Sequence, residues 1–259
     1  MFKIFICFHK KIHERLYKEL TPENAAHLVL YGVNETISKA PIESIYEKYL
    51  DHYVSSLQKK LYNEGSCLYH VYQNNLYKNL SYVGFGQYDM CFSNKVLGEI
   101  NEIITNNPSM NIIFAGQFAI ESYKKPILQG SLKFITRGLK YFKSGLDNYN
   151  FFFDTKYTLE DIIDIPFIMC NTFIIPVKMY KKYMEWTMQF YGNPIPLSEL
   201  HAIYFEDSGM HLSTIPNPEK IFNPGHLIEA MTAMFLAIQI LEKAILYPIS
   251  VEHDPSYKI

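Results

Sequence analysis

The stretch Tyr82-Val83-Gly84-Phe85-Gly86-Gln87-Tyr88-Asp89-Met90 joins an apolar, strand-like run to two glycines, two polar side chains and a carboxylate. In open α/β sheets ligands sit outside the carboxyl ends of the strands, so Gln87, Tyr88 and Asp89 stand where a ligand would be. The glycines would let a ligand or a neighbouring chain approach the backbone closely. The same residues also read as a strand ending in an ordinary turn, with Asp89 capping the next segment. His9 and Lys10 directly follow a first apolar run and suit contact with a diphosphate or a base, although a lysine after a strand is commonly just solvated. His226 and Glu229, three apart on one helix face, suit a metal or a positioned acid/base; a glutamate there also simply favours the helix dipole. Glu206 and Asp207 form a carboxylate pair in a loop-like segment, where either would serve as a general base. Lys133, Arg137 and Lys140, with Lys124 and Lys125 before them, make a basic stripe for a phosphate or an acidic acceptor, or a solvated face.

Other chemistries are missing from the sequence. It has no G-x-x-x-x-G-K-[ST] loop, no G-x-G-x-x-G, no G-x-S-x-G elbow and no H-E-x-x-H helix. Those absences remove ordinary P-loop hydrolases, dinucleotide dehydrogenases, serine hydrolases and zinc peptidases. A net charge of −2 removes the broad attraction that non-specific nucleic-acid binding needs. Cys7, Cys67, Cys91 and Cys170 are widely spaced without a C-x-x-C pair, which reads as reduced core thiols in a cytoplasmic protein.

Positioning such residues requires a sheet. With 259 residues, 48% of them hydrophobic, the chain can bury a large core, and residues 1–259 read as one domain. Short apolar runs alternate with longer helix-like segments, the pattern of a sheet flanked by helices. Strands are expected over residues 2–8, 27–33, 82–86, 111–115 and 167–175. Helices are expected over residues 42–61, where Ile45, Tyr49, Tyr53, Leu57 and Leu61 share a face, and over 64–77. Thr158 with Asp161 reads as an N-cap pair, Pro176 opens a helix that stops at Gly192, and a C-terminal helical segment starts at about residue 223. The apolar tract 230–249 is interrupted by Thr232, Gln239, Glu242 and Lys243, which argues for a packed helix over a membrane span.

Four segments together resemble a family of GT-A-type glycosyltransferase-like proteins found in capsular-polysaccharide gene sets and in some large DNA viruses. The first strand ending in His9-Lys10 is similar to the family's opening strand. Asn63-Glu64-Gly65-Ser66-Cys67-Leu68-Tyr69 with Val71-Tyr72-Gln73-Asn74 resembles its S-E pair and the following W-K-N helix, with Asn63 in place of the serine. Residues 82–92 resemble its Y-I-G-F-x-H-Y-R-R-F strand, the place of the D-x-D metal motif in many GT-A enzymes, but the arginine pair is here Asp89-Met90. Met169-Cys170-Asn171-Thr172-Phe173-Ile174 and the helix through Trp186 resemble its N-x-F-I strand and Y-x-x-W helix. The start of the final helix resembles a segment carrying E-R, with Ala230 in place of the arginine.

The resemblance implies a GT-A-like fold, a mixed and mostly parallel sheet flanked by helices, and transfer of a sugar from a UDP- or GDP-linked donor to a glycan or other hydroxyl acceptor. His9, Lys10, Tyr31, Asn34, Glu64, Tyr69, Gln87 and Tyr88 would line the nucleotide-sugar pocket. Asp89 would meet the donor diphosphate or a divalent cation, Mn²⁺ or Mg²⁺, with His226 as a second ligand. Glu206, Asp207 or Glu229 would supply the base. No nucleic acid and no transmembrane segment are expected, and a homodimer is compatible with the aromatic content. The departures at Asp89-Met90 and Ala230 keep two alternatives open, a non-catalytic nucleotide- or sugar-binding module on the same scaffold and a structural or assembly protein.

Overall fold

A computed structural model describes residues 1–8, 12, 17–33, 41–59, 62, 64–117, 139–162, 164–166, 168, 171–192 and 224–253. Its centre is a seven-stranded sheet built from β1 (Phe2–Phe8), β2 (Leu28–Gly32), β3 (Ser44–Tyr46), β4 (Tyr82–Gln87), β6 (Ile112–Gly116), β7 (Phe173–Pro176) and β8 (Ile245–Ile249). Their order is β3-β2-β1-β4-β7-β6-β8, and within it only β7 runs antiparallel to its neighbours. A separate two-stranded ribbon pairs β5 (Met90–Cys91) with β9 (Glu252–His253).

Strand β1 is apolar from Ile4 to Phe8 because it is covered there on both faces, while Lys3 near its start pairs with Glu43. Ile4, Ile6 and Phe8 enter one core layer with α4 (Asn94–Asn106), whose Val96, Leu97, Ile100 and Ile104 form a stripe at helical spacing. The Ser93 side chain accepts from the Val96 N–H and caps that helix. Phe5 and Cys7 enter the opposite layer, formed by α3 (Glu64–Gln73), α5 (Leu139–Phe153), α7 (Val177–Gly192) and α8 (Pro224–Leu241). Short helices α1 (Pro22–Ala25), α2 (Ser56–Lys59) and α6 (Leu159–Ile162) are the other α-helices among the described residues. Thr158 and Asp161 cap α6 reciprocally, at 2.7 Å from the Thr158 N–H to the carboxylate. Helix α8 is buried almost all round, which accounts for its weak polar face, and no helix among the described residues is long and apolar enough to cross a membrane.

Three expectations are corrected. Residues 42–61 are not one helix: they supply β3, a 3₁₀ turn over Glu47–Tyr49 and the four-residue α2. Pairing of Leu30, Tyr31 and Gly32 with Ser44, Ile45 and Tyr46 wins over the apolar spacing, and Tyr49 is exposed. Of the strand expected over 167–175, residues 167, 169 and 170 lie outside the described residues, and the strand observed is Phe173–Pro176, following Asn171 in the left-handed region at φ 41°. The apolar tract 230–249 is split, since α8 ends at Leu241, Lys243 turns left-handed at φ 75°, and β8 pairs in parallel with β6. Pro248 is tolerated there because β8 is the sheet edge.

Candidate functional site

The chain leaves β1 for β2 and β3 on one side and returns to β4 on the other, so the order of strands reverses between β1 and β4. A crevice outside the carboxyl ends of such a pair is where open α/β sheets bind ligands. Gln87, the last residue of β4, pairs with Cys7 of β1, and Tyr88 and Asp89 form the turn that follows. The ribbon of Met90 and Cys91 with His253 and Glu252 anchors the far side of that turn. Asp89 is half-buried, with its Oδ1 removed from solvent. Tyr88 leans on the α4-side core, while Gln87 belongs by strand alternation to the α3 side.

The two glycines of β4 serve the neighbouring chain. A Cβ on Gly84 would lie 2.7 Å from Ile174 Cγ1 and 3.1 Å from Ile4 Cγ1. One on Gly86 would lie 2.9 Å from Ile6 Cδ1 and 3.2 Å from the Phe92 ring. Phe92 therefore packs directly on the strand that carries the Asp89 turn and helps to hold the turn in place.

On the α3 side, Glu64 opens its helix half-buried, and the packing of Gly65 against Ile228, 3.3 Å from a built Cβ to the isoleucine side chain, brings the starts of α3 and α8 together. Half-buried Glu229 follows Ile228 directly. Burial is the main cause that pushes the Cys7 thiol above its ordinary range, a hydrogen bond with Cys67 works against it, and the Glu64 and Glu47 carboxylates add to the rise. Glu64 is thus within electrostatic reach of the end of β1. Tyr31 lies wholly inside the core, its hydroxyl without a hydrogen-bond partner and pushed well above the usual phenol range, chiefly by burial. Tyr69 is half-buried in an aromatic group, its ring 5.1 Å from Tyr191 and 5.2 Å from His70.

His9, Lys10, Asn34, Glu206 and Asp207 lie outside the described residues, as do Lys124, Lys125, Lys133, Arg137 and Cys170; the backbones of His226 and Lys140 belong to α8 and α5. Gln87, Tyr88 and Asp89 are together at the switch point, and Glu64 and Glu229 are together on adjoining helix starts. Among the described residues no three His, Cys, Asp or Glu side chains converge on a possible metal position. One carboxylate beside Gln87 is short of the several oxygen ligands that a hard cation takes, so the described residues do not by themselves make a cation site.

A buried trio escaped the sequence reading. Glu47, Ser66 and His70 have no solvent exposure. The Val54 N–H donates to His70 Nε2 at 3.0 Å, so a neutral ring carries its proton on Nδ1, which faces Ser66 Oγ at 3.1 Å. The serine hydroxyl in turn donates to Glu47 at 2.8 Å. The residue types are those of a nucleophilic triad, but the proton order is reversed, because the imidazole donates to the serine and cannot take its proton. The trio clamps the β3 side of the sheet to α3. Glu47 lies 19 residues from Ser66, and no local pattern in the sequence links them.

Cys7, Cys67 and Cys91 are free thiols, the first two buried, as expected of core residues.

No family profile matches the sequence, and no curated protein matches it. Among solved structures, the apo form of the bifunctional glycosyltransferase WbbM superposes with a TM-score of 0.60 at 16% identity, over 98% of this chain and 45% of that one. The chain therefore spans less than half the length of that protein. With one antiparallel strand set into an otherwise parallel sheet flanked by helices, the fold is α/β and GT-A-like, and it is the fold shared with that structure.

Proposed function

We propose that the chain is a glycosyltransferase that moves a sugar from a UDP- or GDP-linked donor to a hydroxyl of a glycan or similar acceptor. The observation that carries this reading is the Gln87-Tyr88-Asp89 turn at the switch point between β1 and β4, on a sheet of GT-A order. The nucleotide lies on the β1 and β2 side, where His9 and Lys10 follow Phe8 in the chain, and Asp89 faces the diphosphate. Glu229 or Glu64, on the adjoining helix starts, takes the proton of the acceptor hydroxyl, with Glu206 and Asp207 as the other candidates. A divalent cation such as Mn²⁺ or Mg²⁺ would be held by Asp89 and His226 only together with ligands outside the described residues, and it would supply positive charge against the leaving diphosphate. Tyr31, wholly buried, supports the pocket from behind.

The lack of a second acid at D-x-D spacing from Asp89, where Gln87 and Cys91 stand, and the buried Met90 in place of an arginine favour one rival, a scaffold that binds a nucleotide sugar without turning it over.

Thermal unfolding against UDP, GDP, CMP and their sugar conjugates, each with and without Mn²⁺ or Mg²⁺, tests both readings. A ligand of the folded state at 100 times its Kd adds about 2.7 kcal/mol, which raises Tm by several degrees. A rise for one nucleotide family, abolished in Asp89→Asn and accompanied by release of the nucleoside diphosphate with an acceptor present, supports the transferase. Binding without turnover favours the scaffold, and no response to any nucleotide removes both.

A further inference from the structure

Two residues before β7 stands a polar side chain that the fold does not explain. Asn171 is 4% exposed, and its Oδ1 is buried with no hydrogen-bond partner. Its backbone is left-handed at φ 41°, which asparagine tolerates and glycine tolerates at least as well. Conformation alone therefore gives no reason for the carboxamide, and a buried carbonyl oxygen without a donor is destabilising. A donor from outside the fold gives that reason.

The position says what kind of donor. Phe173 pairs with Phe85 of β4 on one side and Ala115 of β6 on the other, and the Gly116 N–H to Thr172 oxygen contact at 3.5 Å carries the same alignment one residue further. Continued by one more residue, the register sets Asn171 level with Gln87 and Gln117. Gln87 pairs with Cys7, and Cys7 with Tyr31, so Tyr31, Cys7, Gln87, Asn171 and Gln117 make one row across the carboxyl rim of the parallel strands. Asn171 is one strand spacing, about 4.8 Å, from Gln87 and three spacings, about 14 Å, from Tyr31. It lies on the side of the Asp89 turn away from β2 and β3.

We infer that Asn171 is a specificity residue for the transferred sugar, its carboxamide oxygen accepting a hydrogen bond from a sugar hydroxyl of the donor. The inference rests on the glycosyltransferase reading above. A donor laid across the rim with its nucleotide over β1 and β2 and its diphosphate at Asp89 brings its sugar to β7. A bare nucleoside diphosphate stops short of Asn171.

The test compares Kd values for UDP and UDP-glucose, and for GDP and GDP-mannose, by calorimetry on the wild-type chain, Asn171→Gly and Asn171→Ala. Glycine keeps the left-handed backbone while removing the carboxamide, and alanine removes it with added backbone strain; a property lost in both belongs to the carboxamide. The expected result is that the sugar nucleotide bound by the wild type weakens about tenfold in both variants, while its bare diphosphate changes less than twofold. The inference is overturned if the sugar nucleotide is unaffected, or if both ligands weaken equally. A wild-type chain that binds none of the four removes the glycosyltransferase reading and this one with it, whereas binding that ignores the substitution removes only this one. A Tm of Asn171→Gly at or above that of the wild type is the expected companion result, because the orphan oxygen is gone.

Discussion

Gly84→Ala places a methyl in the tightest part of the sheet. The added carbon would lie 2.7 Å from Ile174 Cγ1 and 3.1 Å from Ile4 Cγ1, both side chains without solvent exposure. These are branch carbons close to their own backbones, on strands paired to both sides of β4, so relief requires the strands themselves to shift. Overpacking of this kind costs about 1–3 kcal/mol, and removing a strand glycine returns about 0.5–1 kcal/mol of backbone entropy. At 2.7 Å the overpacking cost lies in the upper part of its range, about 2–3 kcal/mol, so the net loss is about 1–2.5 kcal/mol, a fall in Tm of about 2–10 °C for a chain of this size. Gly98→Ala is the control, because a Cβ there meets nothing within 4 Å on the exposed face of α4. That substitution gains about 0.8–1 kcal/mol of helix propensity and raises Tm by about 2–4 °C. Calorimetry of the two variants beside the wild type reads both signs. A Gly84→Ala chain as stable as the wild type refutes the packing described for β1, β4 and β7. The nucleotide response of Gly84→Ala stays intact, because the methyl points to the α4 side; its loss would mean that a ligand, and not the neighbouring strands, occupies the space above Gly84.

Gly86→Ala meets the flexible end of Ile6 and the Phe92 ring, so it lowers Tm less than Gly84→Ala but displaces Phe92 and weakens nucleotide binding more; equal effects on both measures would contradict the role given to Phe92. Ser66→Ala takes a hydroxyl donor from buried Glu47 and an acceptor from His70, a loss of about 1–3 kcal/mol, seen as a lower urea midpoint at unchanged slope; an unaltered midpoint would dismiss the clamp. His27 stacks on Phe2 with ring centroids 4.0 Å apart, and burial, the main cause, holds its pKa below the ordinary 6.5. The unfolded chain then binds the proton more readily, so this contribution is complete above about pH 6.5 and declines as the pH falls below it. Unfolding measured from pH 7.5 to 5 shows a shallower decline for His27→Phe than for the wild type, and identical profiles would rule the effect out.

Part of the site was legible because it follows from chain order. An apolar run followed at once by Gln87, Tyr88 and Asp89 marks the carboxyl end of a buried strand wherever that strand sits in the sheet. The same holds for β1, whose apolar run from Ile4 to Phe8 reports cover on both faces, and for α4, whose stripe repeats at helical spacing. Helical spacing failed over residues 42–61, since Ile45 and Tyr46 fit a strand equally well and only the exposed edge of β2 decided between the two. It failed again after Leu241, where the left-handed Lys243 redirects an apolar tract into β8.

The sequence by itself determined which residues are apolar enough to form both core layers and which polar residues fall at strand ends, because periodicity and strand ends are properties of neighbours along the chain. Only the tertiary structure decided what those residues meet. It set β4 beside β1 and so made the Asp89 turn a switch point, filled the space over Gly84 and Gly86 with Ile174, Ile4, Ile6 and Phe92, and joined Glu47 to Ser66 and His70 across 19 residues and more. It also left the Asn171 oxygen buried without a donor at the rim. The physical reason is that pairing register and burial are set by strands and helices distant in sequence, whose contacts no local pattern records.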